Sequence, residues 1–303
     1  MLRAYSTNYD QGSVMLQNEL TTENRSDSLA VPKPILWWGK FLQFLSKDLA
    51  TSFVARLFAT PQNFPAPERE LVMRKSAKNE TLYIPALDAN VQVYVYGYSR
   101  IKVLLVHGWA GRGTQLYHLA DKILENQMMV VSFDAPAHGL SEGKRTNMIE
   151  YLAVIREIDK KYGPFEAAVG HSFGGMALLN AVADHLNVAK LVTIGADNSI
   201  PDIFRYYVQK MQLKPVIAEK LEGLFFDKYR IPVRRLSSES QAERIKIPTL
   251  VIHDSDDRYV DVSSAVAIRL KLRQGTLLVT SGLGHHRIFK DPEVIARIIS
   301  FIR

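Results

Sequence analysis

Val169-Gly170-His171-Ser172-Phe173-Gly174-Gly175 decides the reading of this chain. The apolar run Ala167 to Val169 in front of it reads as a short buried strand. The Ala/Leu-rich stretch Met176 to Leu186 behind it reads as a helix. Between them stands Gly-x-Ser-x-Gly, with His171 and Phe173 at the variable positions. A strand that turns directly into a helix crowds its own backbone, so the residues flanking the turn must be small. Gly170, Gly174 and Gly175 meet that demand. Such a turn pushes Ser172 outward and sets the Phe173 amide at the helix start, where N–H groups have no partner inside the helix. The bland alternative is a small-residue turn with an idle serine.

Strands and helices alternate on both sides of this turn. Ile101 to Val106 reads as a central parallel strand buried on both faces. It ends in His107-Gly108-Trp109, and Thr114 reads as the cap of a helix reaching Glu125. Met128 to Phe133 is the next strand, followed by Asp134-Ala-Pro-Ala-His138-Gly139-Leu-Ser141 and a helix over 147–162. Lys190 to Gly195, Pro248 to His253 and Thr276 to Thr280 are further strands, with a helix from Ser263 to Arg273. Asp291-Pro292 opens a last helix. Upstream, the runs beginning at Glu70, Thr81 and Val91 are β-prone and read as antiparallel strands at one end of the sheet. The pattern predicts an α/β domain over 65–303 with a mostly parallel sheet covered on both faces.

Two stretches break the alternation. Residues 198–246 mix aromatics such as Phe204, Tyr207 and Phe225 with Lys and Arg, and read as a small helical insertion. Inserted after a strand at the sheet's carboxyl edge, it would cover the Ser172 turn as a lid. The alternative is a stabilising appendage away from the chemistry. Residues 1–64 form the second stretch: a polar lead-in to about residue 31, then an amphipathic helix or helix pair over 35–58 carrying Trp37, Trp38, Phe41 and Phe44 among lysines. Its apolar face packs on the catalytic domain or a partner subunit in one reading. In the sharper one it is an interfacial membrane helix.

A serine hydroxyl needs a base, and the base needs an orienting acid. Ser281-Gly282-Leu283-Gly284-His285-His286 follows the last strand. Its glycines would let the loop carry an imidazole to Ser172, with His285 preferred over His286. The loop after the preceding strand offers Asp254, Asp256 and Asp257 as the acid. For the oxyanion that forms when a carbonyl is attacked, the Phe173 amide needs a second donor. The Trp109 amide fits, with Gly108 permitting close approach and His107 orienting the loop. His171 sits beside the nucleophile as pocket and loop support.

Composition narrows the function classes. The 303 residues carry a net charge of +7, but Lys and Arg are interspersed with Asp and Glu, so no nucleic-acid surface is indicated. The absence of cysteine excludes disulfides and cysteine nucleophiles. No run reaches the roughly 18 uncharged apolar residues of a membrane span. Residues 1–10 lack a signal-peptide core, so a cytoplasmic location is expected.

With these residues in view, the chain resembles the α/β-hydrolase superfamily over about 82–303. The resemblance rests on His107-Gly108-Trp109, Gly170-His171-Ser172-Phe173-Gly174, His253 to Val260, and Gly284-His285. The family's acid motif commonly reads His-Gly-x-x-Asp-x-x-Val. His253, Asp257 and Val260 fall on it, which favours Asp257 as the acid, while Asp254 stands where glycine is usual. Asp134, His138, Gly139 and Ser141 match a segment that in the family shapes the loop beside the site. The resemblance implies an α/β-hydrolase fold and a serine esterase with Ser172, Asp257 and His285 in its triad. It implies no metal or organic cofactor, and a small or medium acyl ester as substrate. Thioesterase, acyltransferase and short-peptide hydrolysis stay open, as does a non-catalytic binding protein on the same fold. The sequence leaves the oligomeric state open.

Overall fold

The computed structural model describes residues 3–5 and 31–303. The polar lead-in expected before residue 32 lies mostly outside these residues. Its short segment Arg3–Tyr5 (β1) adds to the edge of the sheet described below. Two helices follow, α1 (Lys33–Leu45) and α2 (Lys47–Phe58). Ser46 separates them with extended backbone, and its Oγ accepts from the Asp48 N–H at 3.1 Å to cap α2. Then comes α3 (Glu68–Ser76). The β-prone reading of this segment is corrected here. Val72 in an apolar run suggests a strand, but Leu71 and Met73 are good helix formers, and acids in the first turn with Arg74 and Lys75 in the last suit a helix dipole.

The sheet proper begins with β2 (Lys78–Ile84) and β3 (Ala89–Tyr96), an antiparallel hairpin. It continues with β4 (Lys102–Val106), α4 (Tyr117–Glu125), β5 (Met129–Phe133), α5 (Met148–Tyr162), β6 (Phe165–His171), α6 (Phe173–Asp184) and β7 (Val188–Ile194). The insertion holds α7 (Ile200–Lys210), α8 (Val216–Tyr229) and the short α9 (Ser238–Ala242). The chain closes with β8 (Thr249–Asp254), α10 (Ser263–Lys271), β9 (Gly275–Thr280), α11 (Gly284–Arg287) and α12 (Pro292–Ile302). Thr114 does not cap α4. Its hydroxyl bonds to Glu70 at 3.1 Å, and α4 begins only at Tyr117.

Strands β2 to β9 form one sheet in the order β9-β8-β7-β6-β4-β5-β3-β2, which β1 extends beyond β9. The run from β9 to β5 is parallel, and β3 pairs antiparallel with β5. The sequence order 4-6-7-8-9 on one side and 5 on the other follows from the crossover helices. Alternate residues of the central strands feed two cores. Leu104, Val106 and Ala168 face one, with α5 and α6. Val103, Leu105, Ala167 and Val169 face the other, with α4 and α12. A strand buried on both sides must be apolar at every position, which is what made β4 legible.

The helix pair α1–α2 packs against the insertion. Gln43 Oε1 accepts from the Lys214 N–H at 2.6 Å, Lys40 Nζ donates to Gln212 at 2.6 Å, and Lys220 pairs with Asp48 at 2.6 Å. At Gly39 a Cβ would lie 3.5 Å from Met211 and 3.6 Å from Leu213, so the inner face of α1 is in contact with the insertion.

Candidate active site

Ser172 lies at the carboxyl end of β6, where the chain turns into α6, with φ 52° and ψ −121°. A non-glycine residue held at positive φ is strained, and such strain persists only where the surroundings fix it. The surroundings here are backbone. A Cβ on Gly174 would come 2.4 Å from the Val106 carbonyl oxygen and 2.5 Å from that of His107. One on Gly170 would come 2.6 Å from the Gly174 carbonyl carbon. The Ser172 N–H donates to Ile194 O of β7 at 2.8 Å. Ser172 and Phe173 remain partly exposed while every residue from Gly174 to Ala181 is buried.

His285 and Asp257 meet beside this turn. His285 Nδ1 lies 2.6 Å from Asp257 Oδ2, both side chains nearly enclosed. With the donor on Nδ1, Nε2 is the ring nitrogen left to accept a proton. The other oxygen of Asp257 accepts from the N–H groups of Tyr259 (2.8 Å) and Val260 (3.0 Å), so the carboxylate is pinned by its own loop. Burial pushes this carboxyl up. The hydrogen bond and charge of His285, with His253 and the Val260 N–H, outweigh it and hold the group below the usual carboxylate range. Asp257 thus stays ionised. His171, one residue before the serine, presents Nε2 to the His285 carbonyl oxygen at 2.9 Å and ties the His285 backbone to the turn. Burial holds the His171 ring well below its ordinary range, so it stays neutral and donates from Nε2.

The three aspartates after β8 do three jobs. Besides Asp257, Asp254 is fully buried and accepts from the Leu283 N–H at 3.1 Å, the Gly284 N–H at 2.9 Å and the Thr280 hydroxyl at 2.6 Å. Asp256 accepts from the Gly282 N–H at 2.6 Å. The carboxylates of one loop therefore hold every amide of 282–284, the residues that lead into His285. From the sequence the two aspartates other than the acid are expected to cap the following helix or stay solvated; Asp254 does neither, being fully buried and bonded to the 283–284 amides. The one available signal was Asp254 standing where glycine is usual.

The loop after β4 forms the facing wall. A Cβ on Gly108 would sit 3.0 Å from Ser172 Cβ, so the loop touches the turn. Two buried imidazoles brace it. His107 donates from Nδ1 to Gly108 O at 2.7 Å and accepts at Nε2 from the Ala135 N–H at 3.0 Å. His138 donates to Pro136 O and accepts from the Ala110 N–H, each at 3.0 Å. Burial lowers His107 to about 4 and His138 to about 3, so both are neutral near pH 7, as these donor–acceptor roles require. Asp134 ties the same region together, accepting from Gly113, Leu140 and Tyr94.

Four aromatic rings, Trp109, Phe58, Phe204 and Tyr207, gather next to Phe173 of the turn. Trp109 lies 5.4 Å from Phe173 and 6.1 Å from Phe58, centre to centre. Phe58 packs edge-on against Phe204 at 5.1 Å and Tyr207 at 5.2 Å. The end of α2, the β4 loop and α7 of the insertion converge here. The role of Phe58 had no signal in the sequence beyond its place in an amphipathic run. Among the described residues no group of three or more His, Cys, Asp or Glu could hold a metal. A groove of about 620 Å³ between α4 and α12, lined by Lys122, Lys290 and Arg303 among others, contains none of the residues described above. The strained serine and the Asp257–His285 pair lie instead at the carboxyl end of β6.

Comparison with known proteins agrees with this architecture. The family model described as "Alpha/beta hydrolase family" matches residues 103–298. No curated protein sequence matches the chain significantly. An esterase from Pyrococcus furiosus superposes with a TM-score of 0.62 at 16% identity, covering 80% of this chain and 97% of its own. An esterase from Exiguobacterium antarcticum gives 0.59 at 17% identity, covering 74% and 99%. A thioesterase domain from the curacin biosynthetic pathway gives 0.55 at 15% identity, covering 75% and 98%. At these identities the likeness is one of fold. The match over the parallel strands, the elbow at Ser172 and both loops that face it identifies the chain as a member of the α/β-hydrolase family.

Proposed function

We propose that the chain is a serine hydrolase that cleaves carboxylic esters through an acyl-enzyme on Ser172. The observation that carries this reading is the Asp257–His285 hydrogen bond of 2.6 Å beside a serine held at positive φ. Ser172 Oγ attacks the ester carbonyl carbon as His285 Nε2 takes its proton. Asp257 holds the ring through Nδ1 and offsets the imidazolium charge. The Trp109 and Phe173 N–H groups receive the oxyanion, each worth about 3 kcal/mol in the transition state. The alcohol departs with the proton from His285. Water then gives its proton to His285 and attacks the acyl carbon, releasing the carboxylic acid and restoring Ser172.

The insertion acts as a lid over this cleft in the proposal. Phe204 and Tyr207 from α7, with Phe58 and Trp109, offer an apolar wall suited to a small or medium acyl chain. A thioester on an anionic carrier is the second reading. Lys214, Lys228, Arg230, Arg234 and Arg235, all on or beside the insertion helices, favour it.

The test is hydrolysis of p-nitrophenyl acetate, butyrate, octanoate and palmitate beside an acyl-coenzyme A panel. Wild type and Ser172→Ala are compared, with labelling by a fluorophosphonate. Ester turnover lost in the variant supports the proposal. Turnover of thioesters alone moves it to the second reading. A folded wild type that neither turns over nor labels sinks both and leaves a binding protein.

A further inference from the structure

The outer face of α1 is apolar and bare. Trp37 is 76% exposed and Phe44 87%, and Trp38, Phe41 and Leu45 are also exposed, with Leu49 of α2 beside them. At about 100° per residue, Trp37, Phe41 and Phe44 fall within about 60° of one another. Lys33 and Lys40 run along one edge of that stripe and are exposed, Lys40 Nζ also donating to Gln212 of the insertion, and Lys47 follows at the start of α2. From Val31 to Lys47 there are three lysines and no carboxylate side chain. The opposite face of α1 is committed to the insertion through Gly39 and Gln43. A single exposed leucine is ordinary on a soluble protein. A cluster of tryptophan and phenylalanine on one face of one helix is a binding surface.

We propose that this face docks on a lipid surface bearing anionic headgroups, with α1 lying in the plane of the boundary. Indole and phenyl rings settle at the depth where acyl chains meet headgroups, and flanking lysines add attraction to negative lipid. No helix among the described residues is long and apolar enough to cross a membrane, so the contact is superficial. A second copy is a poorer occupant. In an antiparallel two-fold pairing the Lys33–Lys40 edges would be brought together without a carboxylate from α1 to offset them. Residues 6–30 hold Tyr9, Val14, Met15, Leu16, Leu20 and Leu29 scattered among Ser, Thr, Asn and four acids, so their removal is one arm of the test below. The helix pair also ends in Phe58 at the cleft, so docking would bring the Ser172 cleft to a store of acyl esters. That last step rests on the ester-hydrolase reading; the docking itself does not.

The full chain is mixed with vesicles of phosphatidylcholine alone, or with about a third phosphatidylglycerol. Bound protein is read by flotation and by the fluorescence of the tryptophans. Wild type should bind the anionic vesicles at least about tenfold tighter than the neutral ones. Trp37→Ser/Phe41→Ser/Phe44→Ser should lose at least about tenfold on both. Lys33→Glu/Lys40→Glu should lose about fivefold or more per lysine on the anionic vesicles only. Circular dichroism checks the fold of each variant. If the triple variant misfolds, Phe44→Ser alone carries the test. The proposal falls if wild type stays unbound or the apolar variants bind as well as wild type. It also falls if binding appears only after residues 1–30 are removed, or if light scattering finds a dimer that the triple variant dissociates. Because binding is read without turnover, failure of the esterase reading would leave the result standing.

Discussion

The floor and the roof of the Ser172 cleft are built on different physical terms. The floor is backbone: strand β6 bent into α6 against the carbonyls of the β4 loop, with the buried Asp254 carboxylate gripping the amides before His285. The roof is side chain: Phe58, Trp109, Phe204 and Tyr207, brought together from three distant segments by ring contacts of 5 to 6 Å. Backbone contacts and buried charges are close to all-or-none. Ring contacts are individually small and adjustable. Change in the floor should therefore strike turnover, and change in the roof should strike substrate choice.

The largest break is in the floor. Ser172→Ala should lower ester turnover by at least about 10³-fold with an unchanged melting temperature, as measured on p-nitrophenyl butyrate. Gly174→Ala should instead fail to fold or lose much of its stability, because the new methyl meets two carbonyl oxygens. A stable Gly174→Ala enzyme would refute the backbone account of the floor.

Asp254→Ala comes next. It strands the Leu283 and Gly284 N–H groups and frees the loop that carries His285. Turnover should fall about 10- to 100-fold, the scale expected when a reacting group is misplaced by an ångström or so, with KM little changed. A loss confined to KM would argue that Asp254 shapes the pocket instead.

Acid should weaken the whole floor. Unfolded histidines take a proton near 6.5, but His107 resists to about 4 and His138 to about 3. Between those values the unfolded chain binds more protons, so stability rises with pH and is lost on acidification from about 6.5 downward. Each imidazole contributes a slope of up to about 1.4 kcal/mol per pH unit. Urea midpoints from pH 7 to 4.5 should trace this loss, and His138→Gln should flatten it by about one proton.

The smallest expected effect is in the roof. Phe58→Ala should shift the preferred acyl-chain length and change KM a few-fold, with kcat on the acetate ester within about threefold of wild type. A drop in kcat equal to that of a floor variant would erase the distinction.

The same division explains what was legible in the sequence. The elbow announces itself because its requirements are local: three glycines around one serine, between an apolar run and an alanine-rich helix. Place after consecutive strands points to the two loops but leaves Asp254, Asp256 and Asp257 open; only the match of His253, Asp257 and Val260 to the family's motif favours Asp257, and the glycine immediately before His285 favours it over His286. The role of Asp254 was not legible. Its partners are backbone amides about thirty residues away, and an amide leaves no mark on a sequence. Segment 68–76 was misread because Leu71-Val72-Met73 outweighed the charges around it. Proline before two acids, with two bases at the far end, was the better signal. The roof had no local signature. Phe58 is one aromatic among many until α2 is laid against α7.

Pinning Leu283 and Gly284 to the β8 loop also fixes a timescale. The Leu283 and Gly284 amides, bonded to Asp254 at the end of a fully buried strand, exchange with solvent only when that strand lets go, whereas the exposed Gly282 amide bonds to the exposed Asp256. The segment carrying His285 therefore has no private opening motion. It opens as part of the unit formed by β8 and β9.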